Sequence, residues 1–188
     1  MNLGFFTMPI HPLGKDWRTS LREDREAFLL ADELGFVEAY VGEHVTDAAE
    51  QITSCTMFIA SLASAVKNMR LGTGTVNMPN SHPANVAAQV AMLDHLLDGR
   101  FNFGISPGGL ASDAEVFGNL DADRQAMFLE CINTVLKIWE SDPPYDIEGE
   151  FWNVSTARTS ISTDPCASRT SGPTSNDAPS RRRLPRKR

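Results

Sequence analysis

Leu93-Asp-His-Leu-Leu-Asp-Gly-Arg-Phe-Asn-Phe-Gly-Ile-Ser-Pro-Gly-Gly109 compresses a helix end, a short apolar strand and a glycine-rich loop into one run. Asp98-Gly99 stops the helix, the strand starts at Arg100, and Pro107-Gly108-Gly109 opens the loop. In a parallel α/β protein, ligands sit in the loops that follow the C-terminal ends of strands. Adjacent glycines there let a flat or anionic ligand approach the backbone. The same succession occurs at Phe36-Val-Glu-Ala-Tyr-Val-Gly-Glu-His44 and at Arg70-Leu-Gly-Thr-Gly-Thr-Val-Asn-Met-Pro79. Three strand ends therefore carry candidate site residues.

Strand-like runs begin near Leu3, Phe36, Arg70 and Arg100, which are 33, 34 and 30 residues apart. Helical patterns fill the gaps. Ser20-x-x-Glu23 reads as a capping box that opens the first helix, and Gly35 closes it. A second helix starts around Thr53-Ser54. A third has Pro83 in its first turn, where the missing N–H is not needed. A fourth runs from about Asp123 to Trp139 and is stopped by Pro143-Pro144. Such alternation implies βαβ units and a parallel sheet.

Two α/β architectures compete for this pattern. A dinucleotide-binding sheet needs a G-x-G-x-x-G turn after its first strand, whereas this chain continues as Thr7-Met-Pro-Ile-His-Pro12. Candidate residues spread over several strand ends favour a (β/α)8 barrel. A complete barrel takes about 250 residues, and only four βα units are legible here. The predicted architecture is the N-terminal half of a (β/α)8 TIM barrel over residues 1–154, followed by a disordered tail at 155–188. A half barrel of this kind exposes two open sheet edges and an apolar inner face.

The charge distribution supports that division. Residues 159–188 hold seven basic and two acidic residues, so the first 158 carry 10 basic and 22 acidic ones, a charge of −12. Of the last 30 residues, 20 are Ser, Thr, Pro or Arg, a composition that cannot bury enough apolar surface to offset chain entropy. The simplest account of the switch is a truncated or frameshifted copy of a longer protein. The run Arg181-Arg-Arg-Leu-Pro-Arg-Lys-Arg188 lacks interleaved aromatics, and an acidic body repels phosphate, so nucleic-acid binding is not expected. Cys55, Cys131 and Cys166 are odd in number and widely spaced, which argues against disulfides or a zinc site. No metal-ligand spacing or P-loop is present. Without an apolar run of about 20 residues or an export signal, a cytoplasmic protein is expected.

The combination Gly42-Glu-His44, Leu71-Gly-Thr-Gly-Thr-Val-Asn77, Leu93-Asp94, Gly99-Arg-Phe-Asn-Phe-Gly104 and Val116-Phe-Gly118 resembles the bacterial-luciferase-like flavin-dependent monooxygenases. Ser106-Pro-Gly-Gly109 with Asp123-Arg-Gln-Ala126 is similar to limonene monooxygenase-like members. The resemblance covers residues 1–154. It implies a TIM barrel, often dimeric, that binds reduced FMN at the C-terminal ends of its strands. It also implies O2 as co-substrate, a C4a-peroxyflavin, transfer of one oxygen atom to a small organic substrate, and a separate flavin reductase. Where bacterial luciferase has Cys-Arg this chain has Ser106-Pro107. That departure weighs against light-emitting aldehyde oxidation and removes a cationic contact to the flavin phosphate. A coenzyme F420-dependent oxidoreductase shares the layout and is the alternative within the fold. Outside it stands a non-catalytic subunit that pairs with a full-length relative.

The resemblance puts His44 in the family's catalytic-histidine position, where an imidazole can exchange a proton near neutral pH. The plainer reading is a strand-end histidine bonded to a neighbouring loop. Asn77 can meet the polar edge of the flavin ring or bond locally at a loop start. Ser106, Gly108 and Gly109 line the ring or form a tight turn. Met8 and Pro9 are a cavity wall or core filler. Glu43 alternates with His44 along a strand, so both cannot face the barrel interior. Its expected task is to orient a backbone amide or to pair with a basic residue. His11, His82 and His95 have no evident partners. Because barrels commonly bind phosphate with late-strand loops, which are absent here, weak flavin binding and little turnover are expected.

Overall fold

The computed structural model describes residues 1–160; the basic run and Cys166 lie outside them. In chain order the elements are β1 (Gly4–Thr7), α1 (Trp17–Glu33), β2 (Glu38–Val41), α2 (Cys55–Leu62), β3 (Arg70–Thr73) and β4 (Val76–Asn77). A 3-10 turn at Met78–Asn80 precedes α3 (Pro83–Leu96), β5 (Phe101–Asn102), β6 (Ile105–Ser106), α4 (Ala111–Val116) and α5 (Arg124–Glu140). The hairpin β7 (Asp146–Ile147) and β8 (Val154–Ser155) leads into the helical turn α6 (Ala157–Ser160). The boundary expected at 154 thus falls inside the hairpin. The tail from 161 onward lies outside the described residues.

β1, β2, β3 and β5 form one parallel sheet in that order, and β4 and β6 extend its upper rim as a second parallel pair. Four βα units in register make half of a (β/α)8 barrel. One sheet face aligns Phe5, Ala39, Leu71 and Phe101 across the strands. It packs against the helices through Phe28, Phe58, Ile59, Leu62 and Leu97, all buried. Phe28 meets Phe5 and Phe58 edge-on, with ring centres 5.2 and 5.4 Å away, a favourable geometry for aromatic pairs.

The opposite, inner face is not the apolar surface expected. The Tyr40 hydroxyl donates to Glu38 at 3.0 Å and accepts from Asn102 Nδ2 at 3.0 Å. Arg70 donates to Asn102 Oδ1 and to the carbonyls of Gly99 and Phe101. Phe6, 61% exposed, presents a large apolar ring beside this network. Glycine is required next to these rings. A Cβ on Gly72 would stand 2.5 Å from the Tyr40 ring, and one on Gly74 2.9 Å from Phe6. Among the described residues β1 and β5 each have a strand neighbour on one side only.

Local chemistry sets the helix ends. Ser54 caps α2, and His82 Nδ1 accepts from Ala84 N ahead of Pro83. Asp98 and Gly99, at φ 50° and 75°, end the α3 turn. The first helix corrects the capping expectation. Its N-cap is Asp16, which accepts from Thr19 N at 2.9 Å. That places Ser20 inside the first turn, while Glu23 pairs with Lys15. His11 also has partners, contrary to expectation: Nε2 meets Asp24 at 2.9 Å and Nδ1 accepts from Lys15 at 3.1 Å. The signal was obscured because these partners lie 13 and 4 residues away across a turn.

Candidate active site

The C-terminal ends of β1, β2, β3, β4 and β6 border a cavity of about 360 Å³. It is lined by Met8, Glu43, His44, Gly74, Thr75, Asn77, Ser106, Gly109 and Leu110. Met8, His44, Asn77, Ser106 and Gly109 are thus brought together from four strand ends. Gly108 is not in the lining. At φ +80° it turns beneath the loop, with its amide on Ser106 Oγ at 3.1 Å and its carbonyl accepting from Arg124 at 3.4 Å.

The alternation expected for Glu43 and His44 fails because β2 stops at Val41. Beyond the strand, side chains no longer alternate between faces, and both residues reach the cavity wall. Gly42 is needed at this crossing, since a Cβ there would meet the Gly74 carbonyl at 2.8 Å. Glu43 does orient backbone amides. It accepts from Asn77 N at 3.2 Å and from Cys55 N at 3.0 Å. Burial and the adjacent Glu43 carboxylate push the Cys55 thiol far above the usual thiol range.

Asn77, 8% exposed, is braced on both sides. Its Oδ1 accepts from Ser106 Oγ at 3.0 Å, and its Nδ2 donates to the Glu43 carbonyl at 3.4 Å. Ser106 Oγ in turn accepts from Thr75 at 2.7 Å. One Asn77 N–H remains unassigned beside the cavity.

His44 is held by residues that the sequence reading missed. Its Nδ1 lies 3.0 Å from Asp113 Oδ2, at the start of α4. The same carboxylate accepts from Val45 N, Thr46 N and Thr46 Oγ1 at 2.6 to 3.3 Å. Burial acts to raise Asp113, but the bonds from Thr46, His44 and the loop amides outweigh it, so its carboxyl sits below the usual carboxylate range. An ionised Asp113 only accepts, which assigns the Nδ1 proton to His44 and leaves Nε2 as the free nitrogen. Glu50 Oε2 stands 3.8 Å from that Nε2. Burial, with Asp47 and Asp113 nearby, holds Glu50 above its ordinary range. No group of three or more His, Cys, Asp or Glu suited to a metal occurs among the described residues, and no described helix is long and apolar enough to cross a membrane.

The profile of the luciferase-like monooxygenase family matches residues 1–175. The chain belongs to that family. It is 35% identical over 158 residues to 4-hydroxyprotoasukamycin monooxygenase of Streptomyces nodosus subsp. asukaensis, covering 84% of this chain and 43% of that one. Limonene 1,2-monooxygenase of Rhodococcus erythropolis is 34% identical over 138 residues, covering 73% of this chain and 36% of that one. The fold matches the oxygenating constituent of 3,6-diketocamphane monooxygenase from Pseudomonas putida, a Baeyer-Villiger enzyme solved with FMN. That match has a TM-score of 0.78 and 25% identity, and it covers 82% of this chain and 43% of the other. The luciferase-like chain described here therefore spans less than half the length of these relatives.

Proposed function

We propose that this chain supplies the His44-bearing half of the active site of an FMN-dependent monooxygenase that acts on a small organic substrate. One observation carries the reading: His44, Asn77 and Ser106, from three different strand ends, surround one cavity and are each fixed by buried or half-buried partners. Preorganised donors of this kind, rather than mobile ones, are what a catalytic site needs.

The residues present fit the ring of a flavin. Gly109 leaves open space where a side chain would stand. Asn77, Thr75 and Ser106 offer amide and hydroxyl groups for a polar ring edge. Among the described residues the lining contains no Lys or Arg for the phosphate, and Arg124 is turned to the Gly108 carbonyl. Bound reduced flavin would supply the two electrons that activate O2, with one oxygen atom ending in the substrate and the other in water. Asp113 fixes the His44 tautomer, and Nε2 of His44 holds or gives up a proton at the cavity wall. Asn77 and Ser106 orient the ring, and Met8 and Leu110 exclude water from one side.

A separate reductase fits the 34% identity to the oxygenase component of flavin-dependent trigonelline monooxygenase of Acinetobacter baylyi. A second half barrel, from another copy or a related subunit, fits the edges of β1 and β5 that have no strand neighbour among the described residues. A cytoplasmic setting fits a flavin delivered by such a reductase. Nothing at the described site favours coenzyme F420 over FMN.

The test is an FMN titration of the 188-residue protein, followed by flavin fluorescence and by backbone amide resonances. Weak binding is expected, with shifts confined to Thr75, Asn77, Ser106, Gly108 and Gly109, and lost in Asn77→Ala. Shifts spread over the helices would overturn the assignment of the site. Tight binding would overturn the expectation that this site lacks a contact for the phosphate.

A further inference from the structure

His44 stands between two carboxylates that differ in kind. Asp113 is 4% exposed, bonded at 3.0 Å and saturated by loop amides. Glu50 is 17% exposed, lies 3.8 Å from the other ring nitrogen, and receives no side-chain bond within hydrogen-bonding distance. Its backbone is pinned from both sides, because Glu50 N donates to Asp47 and Glu50 forms an isolated antiparallel bridge with Ile10. A carboxylate fixed beside Nε2, outside the cavity lining and reaching solvent, is placed to pass protons through the imidazole.

We propose that Glu50 is a positioning residue acting through His44, relaying protons from solvent to the cavity. In the step, a proton moves from the Glu50 carboxyl through one bridging water, across the 3.8 Å gap, to Nε2 of His44. This leaves a carboxylate at Glu50 and an imidazolium whose Nδ1–H stays on Asp113. Nε2 then gives the proton to a basic atom in the cavity, and Glu50 is reprotonated by water at its exposed edge. The inference rests on reading His44 as the proton-handling group.

The charged surroundings are consistent with such a relay. Asp113 faces the pair from α4 and Asp47 from the same loop. Glu43 directs its carboxylate to Cys55 and Asn77 instead, and His11 in the β1–α1 loop is taken by Asp24. Glu50 is raised chiefly by burial and by these negative neighbours, and His44 opposes the shift. A carboxyl raised in this way keeps its proton to higher pH than an exposed one does.

The experiment is a flavin-free NMR titration of the 188-residue protein, reading the Glu50 carboxyl carbon and the His44 ring nitrogens. Two groups sharing a proton titrate as a pair, so each resonance should report both steps. In Glu50→Gln, the His44 ring-nitrogen curve should lose the step it shares with Glu50. In His44→Gln, the Glu50 midpoint should rise. Glu26→Gln, at an exposed position on α1, should leave both curves unchanged. A single-step Glu50 curve in the native chain overturns the proposal, whether or not the variants fold. Coupled curves together with no FMN-induced shifts would instead sink the flavin reading and leave the relay standing.

Discussion

Replacing Asp113 by Ala tests whether the histidine site is also a structural joint. The carboxylate accepts from His44, two loop N–H groups and the Thr46 hydroxyl, joining α4 to a loop 67 to 69 residues earlier. A hydrogen bond contributes about 1 kcal/mol net, and more when one partner is charged. Water can reach the half-exposed loop amides after truncation, so the lower value applies to each of the four. The expected loss is therefore about 3–4 kcal/mol near neutral pH. Urea unfolding followed by circular dichroism reads it as a lower midpoint at unchanged slope. The pH dependence follows from the depressed carboxyl. Its contribution is complete above the unfolded value, about 3.9, and disappears as pH falls through the lower folded value. Native and Asp113→Ala curves should accordingly converge in strong acid. A loss below about 1 kcal/mol at pH 7, or a gap that does not narrow as pH falls below the unfolded value, would refute the joint.

Other outcomes follow from the same structure. Asp32 accepts from the amides of Lys67, Asn68 and Met69 at 2.7 to 3.0 Å; Asp32→Ala should cost about 2–3 kcal/mol, read as a lower melting temperature. A Cβ on Gly104 would stand 2.0 Å from the Thr73 carbonyl, which is backbone and cannot swing aside. Gly104→Ala should therefore lose at least about 1–3 kcal/mol, and a variant as stable as the parent would show that β5 can shift freely. Burial and Glu130 push the Cys131 thiol up to about 12, and Cys55 is raised further. Both should resist a disulfide reagent at pH 8 in the folded chain and react once urea is added. Fast reaction at either in the native state would contradict the packing.

The strand ends were legible because local chemistry writes them. Pro83 after His82, and Gly99 after Asp98, announce a helix start and stop within a few residues, and the 30-residue period then orders the strands. The N-cap at Asp16 escapes the sequence reading because Ser20-x-x-Glu23 satisfies the capping pattern equally well in text, and only three-dimensional placement decides between them. Asp113 was invisible for a different reason. It sits on a six-residue helix too short to show periodicity, and its histidine partner is 69 positions away. The inner sheet face was misjudged because each of its polar residues looks unremarkable alone. Only the register aligns Tyr40 with Asn102 through Gly72.

Loops on a barrel rim are commonly treated as exchangeable parts on a fixed scaffold. The Glu43–Asn77–Ser106 chain removes that freedom here. Glu43 follows β2, Asn77 ends β4 and Ser106 ends β6, and each bond crosses from one to the next. Recombination with a relative should therefore succeed when breakpoints fall in the helices and all three positions travel together. A graft of a single loop would leave an amide or a carboxylate facing a stranger, and the inherited unit of specificity is the braced trio.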